Sequence, residues 1–265
     1  LTLDLSRDPL TIFRSSRTPA GLYARQKWLG QVGQPDWRSD FEAAVGRLLD
    51  GQSADGSWGG DFLATVGRLF GLHLTVRRSR PAINRALDWL AGRVLGSGPS
   101  PAARLTPGQL AGLPFAPGSG RILGLTAFLF LASLFGRADE PVVLAGYRRL
   151  ESLTGSGKRL SWGSVNNLLR ALVVHPEYAS SRACRGLVDR LAESQAASGR
   201  WPRPAPFYQF LNALAHLDSA AARGQLEPAV QRLVKTQRPD GTWSLSQPEW
   251  NTFLAVHALK NLNLL

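Results

Sequence analysis

The chain has 265 residues, 44% of them apolar, and a formal net charge of +12. That is enough apolar material for one packed domain or a compact repeat array, while a single cysteine, Cys184, rules out an internal disulfide and a cysteine-built zinc cage. No apolar run is long enough to span a bilayer; the nearest, 122–136, is interrupted by Gly124, Thr126 and Ser133 and reads as a buried helix.

The first residues set Asp4, Arg7 and Asp8 among leucines, which is no signal-peptide pattern, and a cytoplasmic location is the expectation. The positive charge is nearly all arginine: Lys27, Lys158, Lys235 and Lys260 are the only lysines among 31 basic residues. Such a charge either attracts phosphates, diphosphates and anionic lipid heads or is simply solvated. The arginines form neither a block nor a regularly spaced basic helix, so nucleic acid is not an expected partner.

In chain order, a helix is expected over 19–30. Ser39 and Glu42 then read as a capping box that opens an amphipathic helix with Phe41, Val45, Leu48 and Leu49 on one face. It runs into Gln52-Ser-Ala-Asp-Gly-Ser-Trp58, and a more apolar helix follows over 62–74. The same grammar (Gln, three residues, Gly, one residue, Trp) returns at Gln195 to Trp201 and at Gln237 to Trp243, 42 residues later. A worn copy keeps Trp162, and a degenerate junction is expected over 115–120. Pro81, Pro141 and Pro228 suit first helical turns, and the Asp-Gly or Ser-Gly pairs suit tight turns with positive φ. Further apolar helices are expected over 121–135, 165–174, 207–217 and 250–262. The Gly/Pro-rich stretch of about 97–120 replaces a regular junction, either bordering a mouth or forming a passive insertion.

Helices apolar on most faces belong inside, and single-stripe helices belong outside. Six of the first kind alternating with five or six of the second predict an all-α protein, an (α/α)6 toroid or barrel, as a single domain over 1–265. Head-to-tail repetition makes the inner helices parallel and gathers their N-termini at one mouth, just after the Gln–Trp turns.

The turn pattern resembles the QW repeat of squalene-hopene and oxidosqualene cyclases, and the wider toroid is shared with protein prenyltransferases. Gln52, Trp58, Gln195, Trp201, Gln237 and Trp243 match that motif position by position, with Trp162 in the worn copy. The resemblance implies that these residues brace the barrel. It implies a terpene cyclase-like or prenyl-transfer-like enzyme working on a prenyl diphosphate or polyene in a central aromatic-lined cavity, with proton-initiated cyclisation as the candidate reaction; the alternative reading is a non-catalytic toroid for a lipid, an isoprenoid or a protein partner. One half of a two-barrel cyclase, with a second barrel-type chain as partner, is a further reading, and contact with a membrane surface stays open. Two departures matter. The Asp-x-Asp-Asp stretch that supplies the acid in proton-initiated cyclases is missing, and Arg182 stands where the prenyltransferase zinc triad needs an Asp two before Cys184.

The remaining candidate acids are Asp61 and Glu249, each near the start of an inner helix. A carboxyl group in an apolar cavity acts as a general acid when its pKa is raised; at a helix start it serves equally as a cap. Phe62, Phe128, Phe207, Tyr208, Trp250 and Phe253, with Tyr23, Trp28, Phe70, Phe130 and Phe210, are the rings expected to line a cavity or pack the core. Arg121, Arg200 and Arg203, with Lys158 and Arg159, are placed to meet an anionic head group. His73, His175, His216 and His257 read as core or helix-end residues and no metal site is expected. No cofactor is expected either, Mg2+ entering only with a diphosphate substrate.

Overall fold

The computed structural model describes residues 3–96, 105–155 and 159–265, so Lys158 and the first part of the 97–120 insertion lie outside the described residues. Among the described residues there are eleven α-helices: α1 (Pro19–Lys27), α2 (Pro35–Leu49), α3 (Phe62–Thr75), α4 (Pro81–Leu95), α5 (Gly120–Leu134), α6 (Pro141–Thr154), α7 (Trp162–Val173), α8 (Arg182–Ser194), α9 (Phe207–Leu214), α10 (Ala220–Thr236) and α11 (Pro248–Asn261). The odd-numbered helices pack each on the next, and α11 returns to α1, which closes a ring of six. The even-numbered helices lie outside this ring, each packed against at least one inner helix beside it. Burial follows composition. In α5 nearly every residue from Gly120 to Ala132 is buried, whereas α8 buries only Cys184, Leu187, Val188 and Leu191, one stripe at helical spacing.

The Gln–Trp turns show why these residues stand at these positions. The turn glycines Gly56, Gly199 and Gly241 have φ of +92, +75 and +84, a region that disfavours any side chain. Each also presses on a neighbouring carbonyl. A Cβ on Gly199 would lie 2.1 Å from the Pro228 oxygen, and one on Gly56 2.4 Å from that of Arg85. The glutamine amide then ties two pieces together. Gln52 Nε2 donates to Gly56 O (2.9 Å) in its own turn and to Ala82 O (2.7 Å) at the head of α4. Gln195 does the same toward Gly199 O and Gln225 O in α10, at 3.2 and 3.0 Å. The tryptophans are buried beneath, with Trp58 and Trp243 donating Nε1 to the carbonyls of Asp50 and Leu233.

Five outer helices serve six inner ones, and the N-terminal segment takes the sixth place. Gln237 Nε2 donates to Gly241 O and to Arg7 O, while Ser6 and the Arg7 backbone N–H donate to its Oε1. The Leu3 N–H donates to Leu264 O, fastening the same segment to the chain's last turn.

Two helix starts differ from expectation. α2 begins at Pro35 rather than at Ser39, because the proline occupies the first turn, where its missing N–H is harmless, and so places Ser39 and Glu42 inside the helix. α10 begins at Ala220, where Ser219 accepts from the Ala222 N–H, so Pro228 lies within the helix instead of at its head. Pro81 and Pro141 do open α4 and α6.

Replacing Gln195 with alanine strands two carbonyl acceptors in a part-buried turn and is expected to lower the unfolding free energy by about 1–3 kcal/mol. Gly199→Ala combines a forbidden φ with a backbone clash and should cost more. Urea unfolding checks both; a loss below about 0.5 kcal/mol for Gln195→Ala would show that the turn does not brace the ring.

Candidate functional site

The described part of the Gly/Pro-rich insertion, 105–119, packs over the N-terminal end of the ring. Leu110, Leu113, Phe115 and Ala116 are buried there. Two adjacent asparagines of α7 hold the segment: Asn167 accepts from the Ala116 N–H and donates to its carbonyl, both at 2.9 Å, and Asn166 donates to Pro114 O at 3.1 Å. Gly112 N–H donates to Gln247 at the head of α11. The end where the inner helices begin is therefore covered.

Inside the ring lies a cavity of about 310 Å³ to which every inner helix contributes. Tyr23 comes from α1, Phe70 and His73 from α3, Phe130 from α5, Arg170 from α7, Asn212 from α9, and Trp250, Phe253 and His257 from α11, with Arg77 just past α3 and His216 just past α9. Pro114 of the covering segment forms part of the floor. Arg77, Val174 and His216 keep solvent exposure and lie at helix C-termini. The cavity thus opens at the end opposite to the expected mouth, because the covering segment occupies the N-terminal side.

The lining divides into two kinds. Trp250 stacks on Phe253 at 5.4 Å, Phe70 meets Trp250 edge-on at 5.8 Å, and Tyr23 meets Phe253 edge-on at 5.3 Å. The rest is basic. Arg170 is buried on α7, donating Nη1 to Asn212 Oδ1 (2.6 Å) and Nη2 to Gln209 O (3.0 Å). Burial pulls its pKa down to about 9, so it stays charged at neutral pH. Asn212 continues the network to His257 Nδ1 at 3.1 Å. The Arg77 guanidinium lies 4.1 Å from the Tyr23 ring centre. Burial pushes His73 down to about 4 and His257, also disfavoured by the positive groups around it, to about 3. Both are neutral at pH 7.

No Asp or Glu lines this cavity among the described residues. A Mg2+ ion needs oxygen ligands, carboxylates foremost, so the residues present do not fit that ion. No group of three or more His, Cys, Asp or Glu is placed to hold a metal among the described residues.

The structure places the sequence candidates as follows. Trp250 and Phe253 line the cavity. Phe62 and Phe128 are buried outside it, Phe207 and Tyr208 pack near Trp201, and Trp162 heads α7 beneath the Arg190 guanidinium. Arg121 and Arg203 are exposed, and Arg200 is half-buried in its turn. Asp61 is exposed and caps α3, accepting from the Ala64 N–H at 2.6 Å. Glu249 faces a separate apolar groove of about 560 Å³ between α1, α3 and the covering segment, and accepts from the hydroxyls of Ser16 and Thr18. Phe70, Leu74 and Trp250 belong to both walls and so divide groove from cavity. Sequence reasoning missed Arg77 and Arg170; the available signal was an arginine in the middle of the apolar 165–174 stretch.

No protein-family model and no curated protein matches the sequence. Among solved structures the chain is similar to the type II terpene cyclase MstE from Scytonema, with TM-score 0.59 at 12% identity over 94% of this chain and 89% of that one. The fold is terpene cyclase-like. An MstE variant in complex with geranylgeranyl dihydroxybenzoate, its substrate, matches at TM-score 0.57 and 12% identity over 94% and 88% of the two chains. A protein from Actinoplanes matches at TM-score 0.57 and 16% identity over 95% and 90%. This chain therefore spans nearly the whole of each neighbour. No helix among the described residues is long and apolar enough to cross a membrane.

Histidines with pKa values below the ordinary 6.5 take up protons more readily unfolded than folded. Their contribution is complete above pH 6.5 and is lost as pH falls toward 4. His216 also titrates low but keeps solvent access, so His73 and His257 should carry most of the effect. Melting temperature is expected to fall between pH 6.5 and 4.5, and His257→Asn should flatten that slope. Asp61→Ala removes a cap, costing about 0.5–2 kcal/mol, and should leave ligand affinity unchanged in a titration.

Proposed function

We propose that this chain is a terpene cyclase-like toroid that holds an isoprenoid in its central cavity, with the three Gln–Trp turns acting as QW braces. The lining carries the reading: aromatic rings from four inner helices line one cavity with no carboxylate among the described residues around it. Ring faces suit a flat, polarisable polyene and attract any positive charge that develops on it. About 310 Å³ is at the lower end for small-molecule sites. The substrate held by the structural neighbour, a geranylgeranyl dihydroxybenzoate, supports the ligand class.

The same lining argues against cyclisation started by proton donation within the cavity. Protonating an alkene requires a strong acid. Imidazoles that burial keeps neutral at pH 7 and a guanidinium that keeps its charge there are all too weakly acidic for that step. Binding without acid-initiated turnover is the function that this chemistry supports.

One observation favours a cyclase instead. Glu249 faces the neighbouring apolar groove beside Trp250, one ring away from the cavity. Its Oε1 accepts from the hydroxyls of Ser16 and Thr18. Farnesol and geranylgeraniol should raise the melting temperature saturably and be recovered unchanged, with Glu249→Gln binding them equally. Cyclised product from the wild type that disappears in Glu249→Gln would replace the binding reading with the cyclase one.

A further inference from the structure

We infer that the ligand of the central cavity carries an acidic head group, a carboxylate or a phosphate, seated between Arg170 and Arg77. This rests on the cavity being the ligand site and adds the chemistry of the ligand's polar end.

The observation is a surplus of donors. Arg170 is 3% exposed, and its two engaged nitrogens face neutral acceptors, the Asn212 amide oxygen and the Gln209 carbonyl. Its Nε is buried with no hydrogen-bond partner, and so is the Nε of Arg77. His73 Nδ1 and Trp250 Nε1, on residues lining the same space, are buried without partners as well. Neither arginine forms an ion pair among the described residues, and no carboxylate lines the cavity. Native proteins satisfy nearly all buried polar atoms, and unsatisfied ones gathered in one place mark a missing partner.

The missing partner is an anion. A cation is excluded by like charge, and a neutral alcohol offers one acceptor and no charge to set against two guanidiniums. A carboxylate or phosphate offers several acceptor lone pairs in the geometry a guanidinium fork prefers. The cavity also orients the molecule. Arg77 lies by the opening, while Trp250, stacked on Phe253, backs onto the neighbouring groove, so the head sits with the basic side chains and the apolar tail lies along the rings.

Calorimetric titration of the full chain with farnesoic acid, farnesyl monophosphate, farnesol and decanoic acid tests this. The farnesyl acid or phosphate is expected to bind about ten- to hundredfold tighter than farnesol, and which of the two binds tighter names the head group. Arg170→Met should erase that preference while leaving farnesol binding in place. Arg77→Gln, at a half-exposed position, should weaken it and stands in if the buried variant does not fold. Farnesol binding as tightly as both anions would overturn the acidic head group and leave the isoprenoid reading standing. Decanoic acid binding in an Arg77-dependent way, with no farnesyl compound bound, would uphold the anion site and overturn the isoprenoid reading. Binding of none of the four would overturn both.

Discussion

The ring depends on one small device: a glutamine amide that donates to its own turn and to the next outer element at once. The device works only where a glycine lets two backbones approach within contact distance, which is why Gly56, Gly199 and Gly241 recur with positive φ at equal spacing from their glutamines. An inner helix cannot leave the wall without breaking these paired bonds and uncovering the tryptophan beneath. Repetition then converts a local turn into a closed circle, since each turn hands the chain from outside to inside with the same geometry.

A closed circle of parallel helices has two unlike ends. At the N-terminal end the segment 105–119 is bonded to Asn166 and Asn167, fully buried side chains that engage the backbone of Pro114 and Ala116 and bond to each other. At the other end the helix C-termini turn their partial negative charge toward the opening, and Arg77, His216 and His257 stand where that charge is strongest. The basic lining therefore complements the scaffold as well as whatever the scaffold encloses. A desolvated guanidinium without a carboxylate partner normally carries a penalty of several kcal/mol; aligned carbonyl dipoles and the Asn212 oxygen offset part of it for Arg170.

Much of the architecture was legible because the periodic signals were strong. The apolar helices over 62–74, 121–135 and 207–217 stand within a few residues of their positions in α3, α5 and α9, and the turn motif precedes the first and the last of these. Starts governed by competing local signals were less readable. Pro35 outranked the Ser39–Glu42 pair, and the Ser219 cap started α10 well before Pro228. The candidate site was legible only in part. Trp250 and Phe253 face the cavity, but residues near the Gln–Trp turns, such as Arg121 and Arg203, lie at the covered end. Which end of a barrel is plugged depends on how a long insertion folds back, and that is a tertiary fact without periodicity. The convergence of His73, His216 and His257 is tertiary too, since they come from three different helices or their ends.

The N-terminal segment stands in for a sixth outer helix, and the substitution is unequal. A helix covers its neighbour with a continuous apolar stripe; an irregular strap held through Ser6, Arg7 and Leu3 covers far less. Local opening follows the thinnest packing, so the barrel has a built-in clasp at the joint of α11 and α1. The helix beside that joint carries Trp250, Phe253 and His257, so the chamber wall they form is the one whose outer cover is a strap and not a helix.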